Sequence, residues 1–362
     1  MKVLILGSKE YPLGTNKGDD PSPSGGMELY VDQLVKPLSK YVDITLITRR
    51  FRKTKKYEND KIKVHRVSWI NGFFLRNPSF NINSFIKALR LDFDVLITNG
   101  EVSNFLGLIA AKIKRKPIIM VSHGLAAEQE QYNIIIKKMF SIADKITYYN
   151  ANSVVTHAPQ KLPKGTEYNF ILPGFDRSKL TKDLSLRKKY KTKGTVIVFT
   201  GRLMKTKGVE YLIRGLAEIK NPYTCFIVGD GPEKHDLEKL SKNLKTNVIF
   251  TGFRNDVNKF LSMADVFVIP SFTESLSYST LEAAYMKVPI IATDLDILDK
   301  NAFIKIKKRD SKSILQAIEK TIKNKKMRDE IVKNAYVFTT RFNWNEAAKK
   351  YYKIITQLKE KK

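Results

Sequence analysis

Short apolar runs alternate with longer amphipathic stretches along this sequence, in two successive series. Several of the runs are apolar throughout, which is typical of strands in a sheet that is covered on both faces. Strands that alternate with helices predict βαβ units and parallel sheets. The predicted strands are residues 3–7, 42–48, 63–67, 94–98, 117–122 and 152–156 in the first series, and residues 195–201, 224–230, 247–252, 265–270 and 289–294 in the second. The predicted fold class is therefore α/β, with two doubly wound, Rossmann-like domains.

The length of the chain, 362 residues, also exceeds what one hydrophobic core usually organises. The Pro-Gly break in the segment ILPGFD lies between the two series and is the candidate hinge. We expect a first domain of residues 1–173 and a second of residues 174–342. The last stretch, residues 343–362, predicts a long basic helix with Asn343 or Asn345 as its N-cap. Because it follows the second series without a strand of its own, we expect it to pack back on the first domain.

The charge of the chain is strongly positive. There are 65 lysines and arginines against 36 aspartates and glutamates, a formal net charge of +29 that is spread over both halves. Such a field attracts polyanions in general, whether nucleic acid, anionic lipid or nucleotide phosphates, and charge alone does not choose among them. The hydrophobic content of 43% excludes the disordered classes.

The single cysteine and the first residues bear on the compartment. Cys225 lies in the apolar run TCFIVG, which favours a buried strand residue over a reactive thiol, and one cysteine allows no disulfide within the chain. The start MKVLILG has too few apolar residues for a secretory signal, and no later run approaches the ~18 residues of a membrane span. We expect a cytoplasmic protein that can bind peripherally to the inner face of the membrane.

Two cations follow the first strand of the second series. In doubly wound sheets, ligands bind at the carboxyl ends of the strands, and there the sequence reads GRLMKTKG, which contains Gly201, Arg202 and Lys207. An arginine fork and a lysine point charge beside helix N–H groups are suited to a diphosphate. A solvated pair of charges is the alternative, but the position after a strand and between glycines favours a binding site.

Two glutamates lie eight positions apart in the stretch PSFTESLSYSTLEA. Glu274 is in the loop after a predicted strand, and Glu282 is one to two turns into the helix that begins near Ser277. On a helix, eight positions correspond to about 80° of rotation, so the two side chains can reach different parts of one ligand. Carboxylates are good acceptors for sugar hydroxyls, as on a ribose diol. An exposed helix glutamate is the alternative for Glu282.

These motifs resemble the retaining, metal-independent glycosyltransferases of the GT-B fold, in family 4 (group 1), which includes sucrose-phosphate synthases. The E-x7-E spacing of Glu274 and Glu282 is the most specific match, and the resemblance covers nearly the whole chain. The other matching segments are GRLMKTKG, VGDGP (228–232), TGF (251–253), GGMELYVDQL (25–34), SHGL (122–125), PGFD (173–176) and FNW (342–344).

The resemblance implies a GT-B architecture in which two Rossmann-like domains face each other across a cleft, with the acceptor on the first domain and a nucleoside diphosphate sugar on the second. Arg202 and Lys207 would bind the donor diphosphate, Glu282 the ribose and Glu274 the transferred hexose. No cofactor and no metal is implied, because the sugar donor is a co-substrate. The resemblance further implies that Gly25 and Gly26 let the first loop approach the substrates, that His123 faces the sugar across the cleft, and that Gly201, Ser275, Leu276, Ser277 and Tyr278 complete the donor pocket.

Some positions depart from the family pattern. Ser277 stands where glycine is usual, and its side chain would narrow the sugar pocket. The hinge reads PGF where NG-hydrophobic is commoner, and His157 stands where serine is frequent, which we interpret as local structure. The triplets DFD (92–94) and DLD (294–296) resemble metal-binding D-x-D, but such triplets are frequent by chance, and we predict no metal.

The acceptor is harder to predict. The aromatic cluster WINGFFLRNPSF (69–80) and the basic run RRFRKTKKY (49–57) would suit anionic lipid headgroups at an interface. A core-packed loop beside a solvated charged face is the alternative. We hypothesise a lipid-linked or glycan acceptor and an anionic membrane surface as a partner.

The sequence also bears on two other classes of function. A dinucleotide-dependent oxidoreductase is disfavoured because the segment after the first strand, GSKEYPLG, lacks G-x-G-x-x-G. A basic non-enzymatic protein that binds membrane or nucleic acid would fit the charge but would not explain the paired glutamates. No nucleic acid partner is expected.

Overall fold

The computed structural model divides the chain into two compact units. The first unit comprises Met1–Gly174 together with Phe342–Lys362, and the second comprises Phe175–Arg341. The residues that the structure describes are 1–16, 19, 25–52, 54, 57–72, 75–123, 134–158, 162–178, 180–272, 277–293 and 301–360.

The described part of the first unit contains an eight-stranded sheet. Its order is β3-β4-β2-β1-β5-β6-β7-β8, and the pairs are parallel apart from β3 with β4. The strands are β1 Lys2–Leu6, β2 Asp43–Arg49, β3 Glu58–Asn59, β4 Ile62–Val67, β5 Val95–Asn99, β6 Ile118–Ser122, β7 Ser153–Thr156 and β8 Asn169–Phe170.

Helices cover both faces of this sheet. Successive residues of β1 point to opposite faces, so Val3 belongs to one hydrophobic cluster with α1 and α12, and Leu4 belongs to another with α2, α3 and α4. This division explains why the central strands are apolar at every position. The helices of the unit are α1 Gly26–Leu38, α2 Arg76–Leu89, α3 Glu101–Lys114, α4 Ile134–Tyr149 and, at the end of the chain, α12 Trp344–Glu360.

The last helix is part of the first unit, as the sequence predicts. Asn343 is its N-cap, because its Oδ1 accepts a hydrogen bond of 2.9 Å from the backbone N–H of Asn345. The hydroxyl groups of Tyr30 on α1 and Tyr351 on α12 are 2.8 Å apart, and both tyrosines are buried. α12 is therefore held against α1 by a polar contact inside the hydrophobic cluster.

The second unit is built around a six-stranded parallel sheet within the described residues, with the order β11-β10-β9-β12-β13-β14. Cys225 is completely buried on the second of its strands, as predicted. The strands are β9 Thr195–Thr200, β10 Tyr223–Val228, β11 Val248–Gly252, β12 Val266–Ile269, β13 Ile290–Ala292 and β14 Ile304–Lys305. The helices are α5 Ser185–Lys189, α6 Val209–Leu216, α7 Lys234–Asn243, α8 Val257–Met263, α9 Tyr278–Tyr285, α10 Ser311–Lys323 and α11 Lys325–Thr339.

The surface for anionic lipid that the sequence suggests, residues 49–57 and 69–80, is partly interior. Arg49 is only 1% exposed, with its guanidinium 5.0 Å from the ring centroids of both Trp69 and Phe80, and it donates a 2.6 Å hydrogen bond to Asn77. Phe80 is also buried, on α2. The core-packed alternative is therefore correct for Arg49 and Phe80, since a buried cation–aromatic stack is not available to lipid.

The hydropathy of the helices bears on membrane crossing. Across the described ranges, no helix has both the length and the apolar character that a transmembrane span needs.

Candidate functional site

The loop between β9 and α6 carries Arg202 and Lys207. It contains a 3-10 turn, Lys205–Lys207, and the turn ends at Gly208, the N-cap of α6, which has φ +64°. A Cβ at Gly208 would lie 2.3 Å from the carbonyl oxygen of Pro270 at the end of β12. This position therefore needs glycine both for its backbone conformation and for its contact.

The same loop is hydrogen-bonded to the segment after β12. The backbone N–H of Phe272 donates to the carbonyl oxygen of Thr206 at 2.8 Å. Residues 273–276, which follow Phe272, lie outside the described residues. The contact at Thr206 therefore holds the Arg202–Lys207 loop against the beginning of the segment that contains Glu274.

The glycine-rich segment after β10 supports this loop from the other side. Gly201 donates to the carbonyl oxygen of Val228 at 3.0 Å, and Leu203 donates to that of Asp230 at 2.9 Å. A Cβ at Gly229 would lie 1.9 Å from the carbonyl oxygen of Gly201, so only glycine permits this approach. The motif VGDGP thus shapes the loop that presents the two cations.

The two cations differ in their surroundings. Arg202 is exposed, and its side chain forms no ion pair or hydrogen bond with any residue that the structure describes. Lys207 is partly buried. An exposed arginine without such a partner, in the loop that leads into α6, is available to bind an anion.

Helix α9 carries Glu282 in its second turn. Ser277 is the N-cap, and its side chain accepts a hydrogen bond of 3.3 Å from the backbone N–H of Thr280. The backbone of Ser277 is extended, with φ −96°, so a serine is accommodated there without strain. Tyr278 is the first residue of the helix. The serine that departs from the family pattern therefore has a local function in starting α9.

The carboxyl group of Glu282 has an unusual environment. Burial, followed by the negative charge of Asp176, raises its pKa to about 7. The carboxylate of Asp176 accepts hydrogen bonds from the backbone N–H and the hydroxyl of Ser178, at 3.0 and 2.6 Å. The carboxyl group of Glu282 has no hydrogen-bond partner among the described residues. Within that part of the chain it is a partly buried acceptor that no donor group satisfies.

In the first unit, His123 follows the end of β6. Its Nε2 lies 3.4 Å from Oδ1 of Asn99 at the end of β5, and its ring packs edge-on against Tyr30 at 5.0 Å. The ring of His157 is 5.8 Å away. Burial, and secondarily the charge of His157, lowers the pKa of His123 to about 3. At neutral pH the ring is uncharged and suited to a hydrogen bond with a hydroxyl group.

The glycines predicted for the first loop lie at the start of α1. Gly25 is the N-cap, and its backbone N–H donates a 2.8 Å hydrogen bond to Oε2 of Glu28. Both Gly25 and Gly26 are exposed. They occupy the carboxyl edge of the first sheet, where a ligand is expected in a doubly wound fold.

Several predicted positions are not described or have another partner. Glu274, Ser275, Leu276 and the DLD triplet lie outside the described residues. In the DFD triplet, Asp92 pairs with the side chain of Lys2 at 2.9 Å, and Asp94 accepts from its backbone N–H. Among the described residues no group of three or more histidine, cysteine, aspartate or glutamate side chains is arranged to hold a metal ion.

Sequence reasoning missed two groups that the structure places beside predicted residues. Asn99 directly follows a predicted strand, so the rule that ligands bind at strand ends could have identified it. Asp176 gives no such signal, because its proximity to Glu282 depends on how the segment after residue 174 lies against α9.

Two doubly wound α/β units are the architecture of the GT-B fold class. The structure is similar to that of sucrose-phosphate synthase from Thermosynechococcus elongatus, with a TM-score of 0.81 and 19% identity over 100% of this chain and 99% of the other. It is also similar to Anabaena Alr3699/HepE in complex with UDP and glucose, with a TM-score of 0.78 and 18% identity over 99% of this chain and 100% of the other. These similarities confirm the predicted fold class.

The sequence comparisons identify the family. Residues 194–324 match the family described as "Glycosyl transferases group 1", and residues 24–160 match that described as "Glycosyltransferase Family 4". The chain belongs to this family of glycosyltransferases. It is 29% identical to the uncharacterized glycosyltransferase MJ1069 of Methanocaldococcus jannaschii, over 92% of this chain and 95% of that protein. It is 26% identical to UDP-Gal:alpha-D-GlcNAc-diphosphoundecaprenol alpha-1,3-galactosyltransferase of Escherichia coli, over 72% and 74%.

Proposed function

We propose that this protein transfers a hexosyl unit from a nucleoside diphosphate sugar to a lipid-linked or glycan acceptor, with retention of the anomeric configuration and without a metal ion. The observation that carries the proposal is the loop with Arg202 and Lys207, which is hydrogen-bonded to the segment that leads into the E-x7-E motif. Support for the substrates comes from similar proteins. The name of the Escherichia coli relative specifies UDP-galactose and a diphosphoundecaprenol acceptor, and the HepE structure contains UDP and glucose.

The diphosphate of the donor is the group that Arg202 and Lys207 would bind. Negative charge develops on the diphosphate as the bond to the sugar breaks, and preorganised cations stabilise that charge. At about 4 Å and an effective dielectric constant of about 20, each opposite charge contributes about 4 kcal/mol. Backbone N–H groups at the beginning of α6 would add further donors. Two fixed cations can thus perform the role that a metal ion performs in other transferases.

The sugars of the donor are the groups that the glutamates would bind. Glu282 would accept hydrogen bonds from the ribose hydroxyls, because it has an acceptor group and no protein donor among the described residues. Glu274 would contact the transferred hexose, and backbone groups of Ser275, Leu276, Ser277 and Tyr278 would complete the pocket. The side chain of Ser277 would then influence which hexose is accepted.

In the reaction, the bond between C1 of the hexose and the diphosphate oxygen breaks, and a bond between C1 and the acceptor oxygen forms on the same face. The acceptor hydroxyl approaches the side from which the diphosphate departs, so its proton can pass to the departing phosphate oxygen. His123, uncharged at neutral pH, would bind a hydroxyl of the hexose. Gly25 and Gly26 would leave room for the substrates at the start of α1. Glu274 would act on sugar hydroxyls and not as a covalent nucleophile.

A donor screen tests the proposal. The purified protein is incubated with UDP-, GDP- and ADP-sugars in the presence of a chelator, and nucleotide release is measured. We expect release from one donor, and a loss of about 100-fold or more in Arg202→Ala. Lys205→Ala is the matched control, because Lys205 is an exposed cation of the same loop, and we expect its rate to stay within about twofold. Equal losses in both variants, or release that requires a divalent metal, would contradict the proposal.

A further inference from the structure

The outward side of α4 is unusually apolar for a surface helix. A surface helix normally presents charged or polar groups on the side away from the core. On α4 the inner side buries Tyr148, yet a second apolar stripe with helical spacing faces solvent. The exposed members of this stripe are Ile135, Met139, Ile142, Ile146 and Tyr149, each between 49% and 69% exposed.

The neighbouring helices continue this apolar surface. α3 packs against both α2 and α4, so the outward stripes of the three helices lie side by side. Together the stripes form one surface, which we call the α2–α4 face. In addition to the residues of α4, its exposed members are Ile82 and Ile86 on α2 and Val102, Phe105, Ile109 and Ile113 on α3. Contiguous apolar surface of this kind marks an interaction site in a folded protein.

The charges around the α2–α4 face are almost all positive. The two acidic residues of these helices are not among its exposed members: Asp144 is only 6% exposed, and Glu101 is partly buried in the first turn of α3. Burial raises the pKa of both carboxyl groups. The basic residues in and directly after the helices are Arg76, Lys87, Arg90, Lys112, Lys114, Arg115, Lys116, Lys137, Lys138 and Lys145.

We propose that the α2–α4 face docks on an anionic membrane surface. Apolar side chains on a helix that lies in the plane of the interface enter the boundary of the acyl chains, and flanking lysines and arginines bind anionic headgroups. The apolar stripes and the basic residues of these helices provide both features. A second copy of this chain is the less favourable occupant, because it would bring a second set of the same lysines and arginines against the first.

The position of the α2–α4 face would also suit a lipid-linked substrate. This part of the inference rests on the proposed function. Helices that connect parallel strands run back along the sheet, so α3 and α4 both begin at its carboxyl edge. α3 begins at Glu101, two residues after Asn99, and the side chain of Asn99 lies 3.4 Å from His123. The apolar stripes therefore start at the same edge of the sheet as His123. A protein docked by this face would hold that edge close to the headgroups.

Vesicle flotation of the full chain tests the proposal. The vesicles contain either phosphatidylcholine alone or phosphatidylcholine with phosphatidylglycerol at about 3:1, and we expect the protein to bind the anionic vesicles at least about tenfold more strongly. Two double variants probe the two features of the face: Ile142→Ser with Ile146→Ser, and Lys138→Glu with Lys145→Glu. Each should weaken binding to anionic vesicles by about tenfold or more.

The matched control is Leu184→Ser with Val337→Ser, which removes two exposed apolar side chains, 44% and 54% exposed, from the second unit. We expect the control to bind like the wild type, and all variants to keep their thermal unfolding midpoint and their nucleotide release. If the wild type released no nucleotide from any donor, the proposed function would be refuted. Vesicle binding would still test whether the α2–α4 face docks on a membrane.

Three results would overturn the docking proposal. The first is a wild-type protein that binds neither kind of vesicle, and the second is an Ile142/Ile146 variant that binds anionic vesicles like the wild type. The third is a wild-type dimer in light scattering that the Ile142/Ile146 variant makes monomeric while vesicle binding is unchanged, since a second copy would then cover the face.

Discussion

The carboxyl group of Glu282 on α9 lies near that of Asp176, and the charge of Asp176 adds to the effect of burial on the pKa of Glu282, which is raised to about 7. Two carboxylates in a partly buried position repel each other, so the folded protein is destabilised when both are ionised. Such an arrangement lowers the stability of the fold and is expected at a functional site. A ligand bound there would supply the hydrogen-bond donors for the carboxyl group.

The first prediction concerns stability and pH. The pKa of Glu282 is raised from 4.5 to about 7 on folding, so the folded state binds the proton more tightly than the unfolded state. The cost is absent below pH 4.5, grows as the pH rises, and is complete above pH 7. Glu282→Gln should therefore be more stable than the wild type at pH 8, by about 3 kcal/mol.

Chemical denaturation at pH 5 and pH 8 measures this difference. The gain in free energy of unfolding should largely disappear at pH 5. The control is Glu238→Gln, at an exposed glutamate of α7, which should change stability by less than about 0.5 kcal/mol at both values. A Glu282→Gln gain that does not depend on pH would show that titration of this carboxyl group is not the cause.

The second prediction concerns donor affinity. A carboxylate accepts hydrogen bonds from a ribose diol more strongly than a neutral carboxyl group does. The affinity for the sugar nucleotide should therefore rise by up to about tenfold between pH 6 and pH 8, as Glu282 becomes ionised. Calorimetry at pH 6 and pH 8 measures this affinity, and Glu282→Gln is the comparison. The variant should bind weakly at both, and an unchanged pH dependence in the variant would exclude Glu282 as its source.

The sequence predicts the larger strands of both sheets to within two residues at either end. It does so because a strand covered on both faces must be apolar at successive positions. The sequence predicts an element less well where few of its buried positions carry large apolar side chains. The sequence does not indicate a helix at α2, because the buried positions of this helix are Phe80, Ser84 and Ala88, and only the first of these is large and apolar.

The sequence also predicts only part of the candidate site. The sequence locates Arg202, Lys207 and Glu282 because they follow strands or match a motif, and the structure places them in the loop after β9 and on α9. The contact of Asn99 with His123, and the effect of Asp176 on the pKa of Glu282, were not indicated by any motif, although Asp176 itself lies in the segment PGFD. Contacts between residues this far apart in the chain depend on the complete fold, as does the contact of Tyr30 with Tyr351.

The third prediction concerns the charge of His123. Its pKa is lowered to about 3, below the ordinary 6.5, so the ring should remain neutral at all pH values from 5 to 8. Nuclear magnetic resonance of the imidazole protons measures this, and His123→Gln assigns the signal by removing it. A midpoint near 6.5 for that signal would show that the ring is solvated. The turnover rate should accordingly show no step from this group in the same range.

The fourth prediction compares two glycines of the first unit. At Gly174 a Cβ would lie 2.3 Å from the backbone nitrogen of Trp344, at the start of α12. Gly174→Ala must therefore displace that helix, and it should lower the free energy of unfolding by about 2 kcal/mol or more. At Gly25 the backbone is extended, with φ −111°, and among the described atoms a Cβ would meet only Oε2 of Glu28, at 3.7 Å. Gly25→Ala should therefore fold normally.

The packing of the described residues does not require a glycine at position 25, so a loss of activity at an unchanged unfolding midpoint would come from a substrate that approaches the backbone there. We expect nucleotide release to fall by about 100-fold in Gly25→Ala at an unchanged unfolding midpoint, because a displaced donor loses the alignment on which catalysis depends. Thermal unfolding and donor hydrolysis of both variants give the comparison. Full activity in Gly25→Ala would exclude close contact between this residue and the donor, while a lowered midpoint would mean that the start of α1 needs glycine for folding.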